Sequence, residues 1–308
     1  MDIPTPTHWT DKMTAKYDYI VAGYHFRVIL PAEQNAEALL PSFAPFRCAL
    51  DDNAPLLFSF AVTPDALADA DSRFLEDSVS ELGRLSIYEC PHSYRVEICR
   101  DSATPMHRMA MDKNLATITA NIHWDDIYAG AMLTSMLRIA YSLAILLHDG
   151  ISVHASAVMW QGKAYLFMGK SGTGKSTHAR LWLQAIAGCE LLNDDNPTIR
   201  IVDGRVIAYG TPWSGKTPCY KNLSCEVGGI VRLSQAPFNR FAVRNEVEAF
   251  TTILPGCASI RSVKSLNDAM HDTLIQVASL VTVGTLQCLP DADAAVLCAR
   301  SLTTPSGE

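Results

Sequence analysis

The run Gly-Lys-Ser-Gly-Thr-Gly-Lys-Ser, Gly169 to Ser176, constrains this chain more than any other stretch. It satisfies the pattern G-x-x-x-x-G-K-[ST] in full. Such a run works only between an apolar strand and a helix, where backbone N–H groups and a helix N-terminus converge on one anion. Both flanks fit. "AYLFM" precedes it, and "THARLWLQAIAG" follows with Leu181, Leu183 and Ile186 at helical spacing and Gly188 as a stop. Gly169, Gly172 and Gly174 free the backbone to approach a phosphate. Lys170, Ser171 and Thr173 complete the cradle. Lys175 sets a point charge against terminal phosphates, Ser176 offers a hydroxyl to Mg²⁺, and Thr177 stands next to them. The expected ligand is a nucleoside triphosphate with Mg²⁺, ATP in the simplest case.

A nucleotide site needs a carboxylate near the metal. "CELLNDD" is a short apolar strand ending in two of them, Asp194 and Asp195. Only one helix separates it from the loop, whereas GTPase-like and ATPase-like phosphate-loop folds place their second acidic motif much further on. One carboxylate can bind metal; the other can take a proton from an attacking hydroxyl. The plain alternative is an Asx turn leading into Asn196-Pro197.

A third segment, "GTPWSGKTP" (210–218), does not read as core. Trp213 could stack on a flat group. Ser214 and Gly215 could donate hydrogen bonds, and Lys216 could neutralise a transferring phosphoryl group. The competing reading is a rigid turn with a solvated lysine. Arg180 reads as a helix-surface residue.

The rest of the chain bounds the possibilities. A formal charge of −7 over 308 residues gives no general attraction to nucleic acid or an anionic membrane. Nine cysteines at scattered spacings form no CxxC pair and no zinc pattern. They read as free thiols in a reducing compartment, so the expected location is cytoplasmic. The N-terminal twenty residues lack the pattern of an export signal. "IYAGAMLTSMLRIAYSLAILL" (127–147) is nearly long enough to span a bilayer, but Arg138 at its centre argues for a buried core helix.

Residues 1–125 read as a β-rich accessory α+β domain, with a hairpin at "RLSIYEC-PHS-YRVEICR". Residues 126–308 read as the nucleotide-binding domain. Its expected elements are the long helix, hairpins at Gln161-Gly162 and Asp203-Gly204, a helix over about 266–280, a strand "VGTLQCL" and a last helix capped by Asp291. The fold class is α/β (α+β), a mixed sheet with flanking helices.

"VHASAV", "GKSGTGKS" and "LLNDD", in that order and at close spacing, resemble the HPr kinase/phosphorylase family and its relatives. These share a nucleotide-binding core with the ATP-type phosphoenolpyruvate carboxykinases. The resemblance covers roughly residues 150–215. It implies a phosphoenolpyruvate carboxykinase-like core, an active-site role for His154, and an aspartate pair that activates the acceptor hydroxyl beside Mg²⁺. Asp194 is then the expected proton acceptor, poised by His154, with Lys216 assisting, and Asp195 joins Ser176 at the metal. Self-association is implied as well. Thr177 stands where the family carries an acidic residue, and its later Gly-rich stretch has no counterpart, so the implied acceptor is not HPr. "GTPWSGKTP" and "LQCLPDADAAVLC" resemble segments of the HPr-kinase-related proteins with an unrelated N-terminal region. The expected activity is phosphotransfer from ATP-Mg²⁺ to a hydroxyl on a protein, peptide or small molecule. A nucleotide-binding regulator without turnover stays open, as does carboxykinase-like chemistry.

Overall fold

Strands are the commonest regular element of this protein, several of them joined by tight turns. The computed structural model describes residues 13–50, 53–65, 67, 71–80 and 83–303. The reading of the N-terminus as lacking an export signal rests largely on residues 1–12, outside those described. The architecture is mixed α/β, with two mixed sheets in two compact units.

The first unit comprises Met1–Ile145 and Ile260–Val263. Its strands are β1 (Thr14–Val21), β2 (Tyr24–Pro31), β3 (Arg47–Cys48), β4 (Phe58–Thr63), β5 (Arg73–Ser80), β6 (Gly83–Glu89), β7 (Ser93–Cys99), β8 (His107–Asp112) and β9 (Thr117–Asn121). Its helices are α1 (Ala36–Leu39) and α2 (Ala129–Ala144). The described strands form one sheet in the order β3-β1-β2-β4-β9-β8-β7-β6-β5. The pairs β2–β4 and β4–β9 are parallel. The expected hairpin appears as β6–β7, with Glu89 opposite Tyr94.

Helix α2 buries Met132, Leu133, Met136, Leu137 and Ala140, a spacing of threes and fours that makes one apolar face. Tyr141 brings its ring 6.1 Å from that of Phe26 on β2. By length and composition Ala129–His148 could cross a membrane; 67% of that window is buried, as in a core helix. The two units divide at Ile145/Leu146, not near residue 125. The long helix assigned above to the nucleotide-binding domain therefore belongs to the first unit, because its apolar face packs there. The left-handed residue after it is Asp149 (φ +59), and Gly150 opens a strand.

The second unit comprises Leu146–Ser259 and Lys264–Glu308. Its strands are β10 (Gly150–Ser152), β11 (Ala155–Trp160), β12 (Lys163–Met168), β13 (Glu190–Asp195), β14 (Thr198–Val202), β15 (Arg205–Tyr209), β16 (Ser224–Gln235), β17 (Arg240–Val243) and β18 (Val283–Cys288). Its helices are α3 (Lys175–Ala185), α4 (Glu246–Ile253), α5 (Lys264–Leu280) and α6 (Ala292–Thr303). The sheet runs β10-β14-β15-β16-β12-β11-β13, with β18 beside β16 and β17 beside β18. Gln161-Gly162 and Asp203-Gly204 both take left-handed angles and turn the expected hairpins β11–β12 and β14–β15. Asp291 accepts the Ala294 N–H at 2.9 Å and caps α6. Helix α3 packs on the sheet through Trp182, which sits among Val158, Tyr165, Phe167 and Cys298.

Register positions the site. Ala155, first residue of β11, pairs with Met168 on one side and Asp195 on the other. The exit of β12, the entry of β11 and the exit of β13 therefore meet at one end of the sheet. The phosphate-loop sequence, His154 and the aspartate pair leave from that end.

Candidate functional site

The loop leaves β12 at Gly169 and enters α3 at Lys175. Gly172 and Gly174 carry φ of +78° and +106°, angles that side chains strain to adopt. Thr173 closes the loop on itself: its N–H and Oγ1 both donate to the Lys170 carbonyl, at 3.1 and 2.7 Å. Gln235, at the end of β16, reaches the Gly172 and Thr173 carbonyls at 3.4 and 3.5 Å. Lys170 to Thr173 and Arg232 to Gln235 line an open cleft of about 450 Å³. Ser176 is half-buried; Lys170, Ser171 and Thr177 are exposed.

Three predicted residues form a hydrogen-bonded chain. Lys175 Nζ lies 2.8 Å from His154 Nε2 and 3.2 Å from the Gly169 carbonyl. His154 Nδ1 lies 3.1 Å from Asp195 Oδ1. An ammonium only donates, so Nε2 accepts and the ring proton sits on Nδ1, where it donates to the carboxylate. Burial pulls the Lys175 ammonium below its ordinary range, and the negative charges of Asp195 and Asp194 oppose that pull. All three charges therefore lie within electrostatic reach of one another.

The two aspartates differ in access. The Asp195 side chain is 30% exposed, and its Oδ2 accepts from the Asn196 amide. Asp194 is only 2% exposed. Its Oδ1 accepts from Ser156 Oγ at 2.5 Å, and its Oδ2 is buried with no hydrogen-bond partner. A buried carboxylate oxygen without a donor is costly unless a cation meets it. Of the pair, Asp195 is the more open to an incoming hydroxyl.

Among the described residues no group of three or more His, Cys, Asp and Glu is placed to hold a metal ion. Mg²⁺ on a nucleotide needs less from a protein: one or two carboxylates complete a shell made mostly of phosphate oxygens and water. The orphaned Asp194 Oδ2 and the Ser176 hydroxyl fit that donor set.

The segment "GTPWSGKTP" lies along the exit of β13. Gly215 N–H donates to the Asp194 carbonyl at 2.5 Å, and Ser214 forms a single bridge with Asp195. A Cβ on Gly215 would stand 2.8 Å from that carbonyl, so only glycine allows this approach. Lys216 is exposed and follows directly. Trp213 is buried, so it anchors the segment and is not open to stack on a ligand.

Sequence reasoning missed Ser156 and Asn193. Alternation along "VHASAV" was the available signal for Ser156, two residues beyond His154 in a strand. Asn193 holds the corner together. Its amide donates to the carbonyls of Thr211 and Trp213 at 3.3 and 3.0 Å, and its Oδ1 accepts from the N–H groups of Asp195 and Asn196.

No family profile matches the sequence. No curated protein matches it either. Among solved structures the chain is similar to the HPr(Ser) kinase/phosphatase from Coxiella burnetii. The two are 14% identical, over 48% of this chain and 85% of that one, with a TM-score of 0.28, a likeness too distant to carry an argument about function.

Proposed function

We propose that this protein is an ATP-Mg²⁺-dependent phosphotransferase that passes the γ-phosphate to a hydroxyl. One observation carries the reading: the hydrogen-bonded chain Lys175–His154–Asp195 stands at the mouth of a glycine cradle that opens a helix. A passive nucleotide clamp needs the cradle and the lysine, not an oriented histidine–carboxylate pair beside them. The loop N–H groups and Lys175 hold the β- and γ-phosphates. Asp195 fixes the His154 tautomer, and this exposed pair takes the proton of the acceptor hydroxyl. Asp194 and Ser176 hold Mg²⁺, which neutralises charge on the transferring phosphoryl group. Lys216, carried beside the aspartates by Gly215, adds to that neutralisation.

The test is ADP release from ATP-Mg²⁺ with pools of small metabolites and of peptides, for wild type, Asp195→Asn and Asp194→Asn. Acceptor-dependent ADP release is expected from wild type. Asp195→Asn should lose about 10²–10⁴ of it while keeping nucleotide affinity within a few-fold. ATP binding without turnover in any pool would replace this reading with that of a nucleotide-binding regulator.

A further inference from the structure

We infer that Ser156 is a positioning residue that aims the free oxygen of Asp194 at the divalent cation of the bound nucleotide; this rests on the phosphotransferase reading above. Strand pairing sets Ser156 on β11 directly opposite Asp194 on β13. Ser156 is 1% exposed, and its Oγ donates to Asp194 Oδ1 at 2.5 Å. A carboxylate tied at one oxygen keeps one side-chain rotamer, so its other oxygen keeps one direction. The main chain is held as well: the Gly215 N–H grips the Asp194 carbonyl at 2.5 Å. These restraints come from two different elements, the strand β11 and the segment after β15. What they leave over is Oδ2, buried and without a hydrogen-bond donor. Lys175 contributes positive charge at a distance, but its hydrogen bonds go to His154 and Gly169. The carboxylate is thus half satisfied, with the unsatisfied half fixed in place, which is how outer-shell partners prepare a metal ligand.

A buried serine that merely satisfies its own hydroxyl predicts something different. It would affect folding, and nucleotide binding only in proportion. The experiment is calorimetric titration of ADP into wild type, Ser156→Ala and Asp194→Asn, each with Mg²⁺ and with a chelator, alongside thermal melts. In wild type, Mg²⁺ should tighten ADP binding, and Asp194→Asn should abolish that gain. Ser156→Ala should lose about tenfold or more of it, with metal-free ADP affinity unchanged within about twofold. If Ser156→Ala keeps the whole Mg²⁺ gain, or loses metal-free and metal-dependent affinity alike, the positioning role is overturned and the phosphotransferase reading survives. If wild type binds no ADP at all, that reading fails and the role of Ser156 falls with it. Should Ser156→Ala not fold, Ser156→Cys, nearly isosteric but a far weaker donor, is measured in its place, with the same loss expected and the same outcomes decisive.

Discussion

His178 lies in the first turn of α3, just past the loop, yet it is sealed from solvent. Its Nε2 accepts the Trp182 indole N–H at 3.1 Å, so its own proton sits on Nδ1, which has no partner. Burial pushes the ring down to about 4. The unfolded chain therefore binds a proton more readily than the folded one between pH 6.5 and pH 4. The stability that neutral His178 contributes is complete above pH 6.5 and is lost as pH falls toward 4, up to about 3 kcal/mol. Urea unfolding from pH 7 to pH 4 should show a shallower loss for His178→Phe than for wild type, by about that amount. Equal slopes would show that the ring is not held neutral in the fold. At Gly215 the prediction concerns the site. A Cβ there meets the Asp194 carbonyl at 2.8 Å, so Gly215→Ala must push "SGK" off the aspartate strand. Turnover should drop at least about tenfold with the melting temperature nearly unchanged, since Gly215 and Lys216 are exposed. Retained activity would remove this segment from the mechanism. Such tertiary contacts are invisible in a sequence. The glycines of the loop are legible because their spacing is local, whereas Gly215 matters only because folding brings Asp194 beside it.

The element that decides the site is β13. It pairs with β11 on one side only, and its other edge is met by the segment after β15. Asn193 joins the two with both ends of its side chain, and it is fully buried. Asn193→Ala leaves buried carbonyls and N–H groups without partners, each worth about 1–3 kcal/mol. A loss of more than about 2 kcal/mol in denaturant unfolding is expected, and a near-neutral result would show that the corner is held otherwise. The hairpins and α6 could be read ahead of the structure because each is set by its own residues: turn dipeptides at left-handed angles, an aspartate cap. Helix α4 carries a signal of the same kind. Asn245 accepts the Glu248 N–H while Glu248 reaches back to the Asn245 N–H, which makes a capping box. Asn193 offered no such signal. An asparagine before two aspartates reads as turn chemistry, which its Oδ1 does supply to the Asp195 and Asn196 N–H groups, but its amide partners Thr211 and Trp213 lie on a segment that only folding brings alongside.

At the scale of the whole chain, the phosphate loop, His154, both aspartates and Lys216 all fall in the second unit, Leu146–Ser259 with Lys264–Glu308. The sequence could show that the motifs follow one another closely, but not where the unit holding them begins. The long apolar helix gives no clue to its side, because an apolar face states only that something must cover it. Once the division is known, a ligand becomes a probe of it. A nucleotide that binds only the folded second unit stabilises it by mass action, by about 2.7 kcal/mol at a hundred times its dissociation constant. Three tryptophans of that unit, Trp160, Trp182 and Trp213, report its unfolding, and Trp182 is buried in its core. Calorimetry and tryptophan fluorescence on the full chain with Trp9 and Trp124 of the first unit replaced by Phe, with and without ADP-Mg²⁺, should therefore show the same upward shift in the transition that Trp160, Trp182 and Trp213 follow. On the proposed reading Lys175→Ala should remove that shift, because the lysine joins the loop to the histidine–aspartate pair and would meet the phosphates. If ADP-Mg²⁺ leaves this transition in place and moves another, the nucleotide is held outside the second unit, and the glycine cradle is not its site.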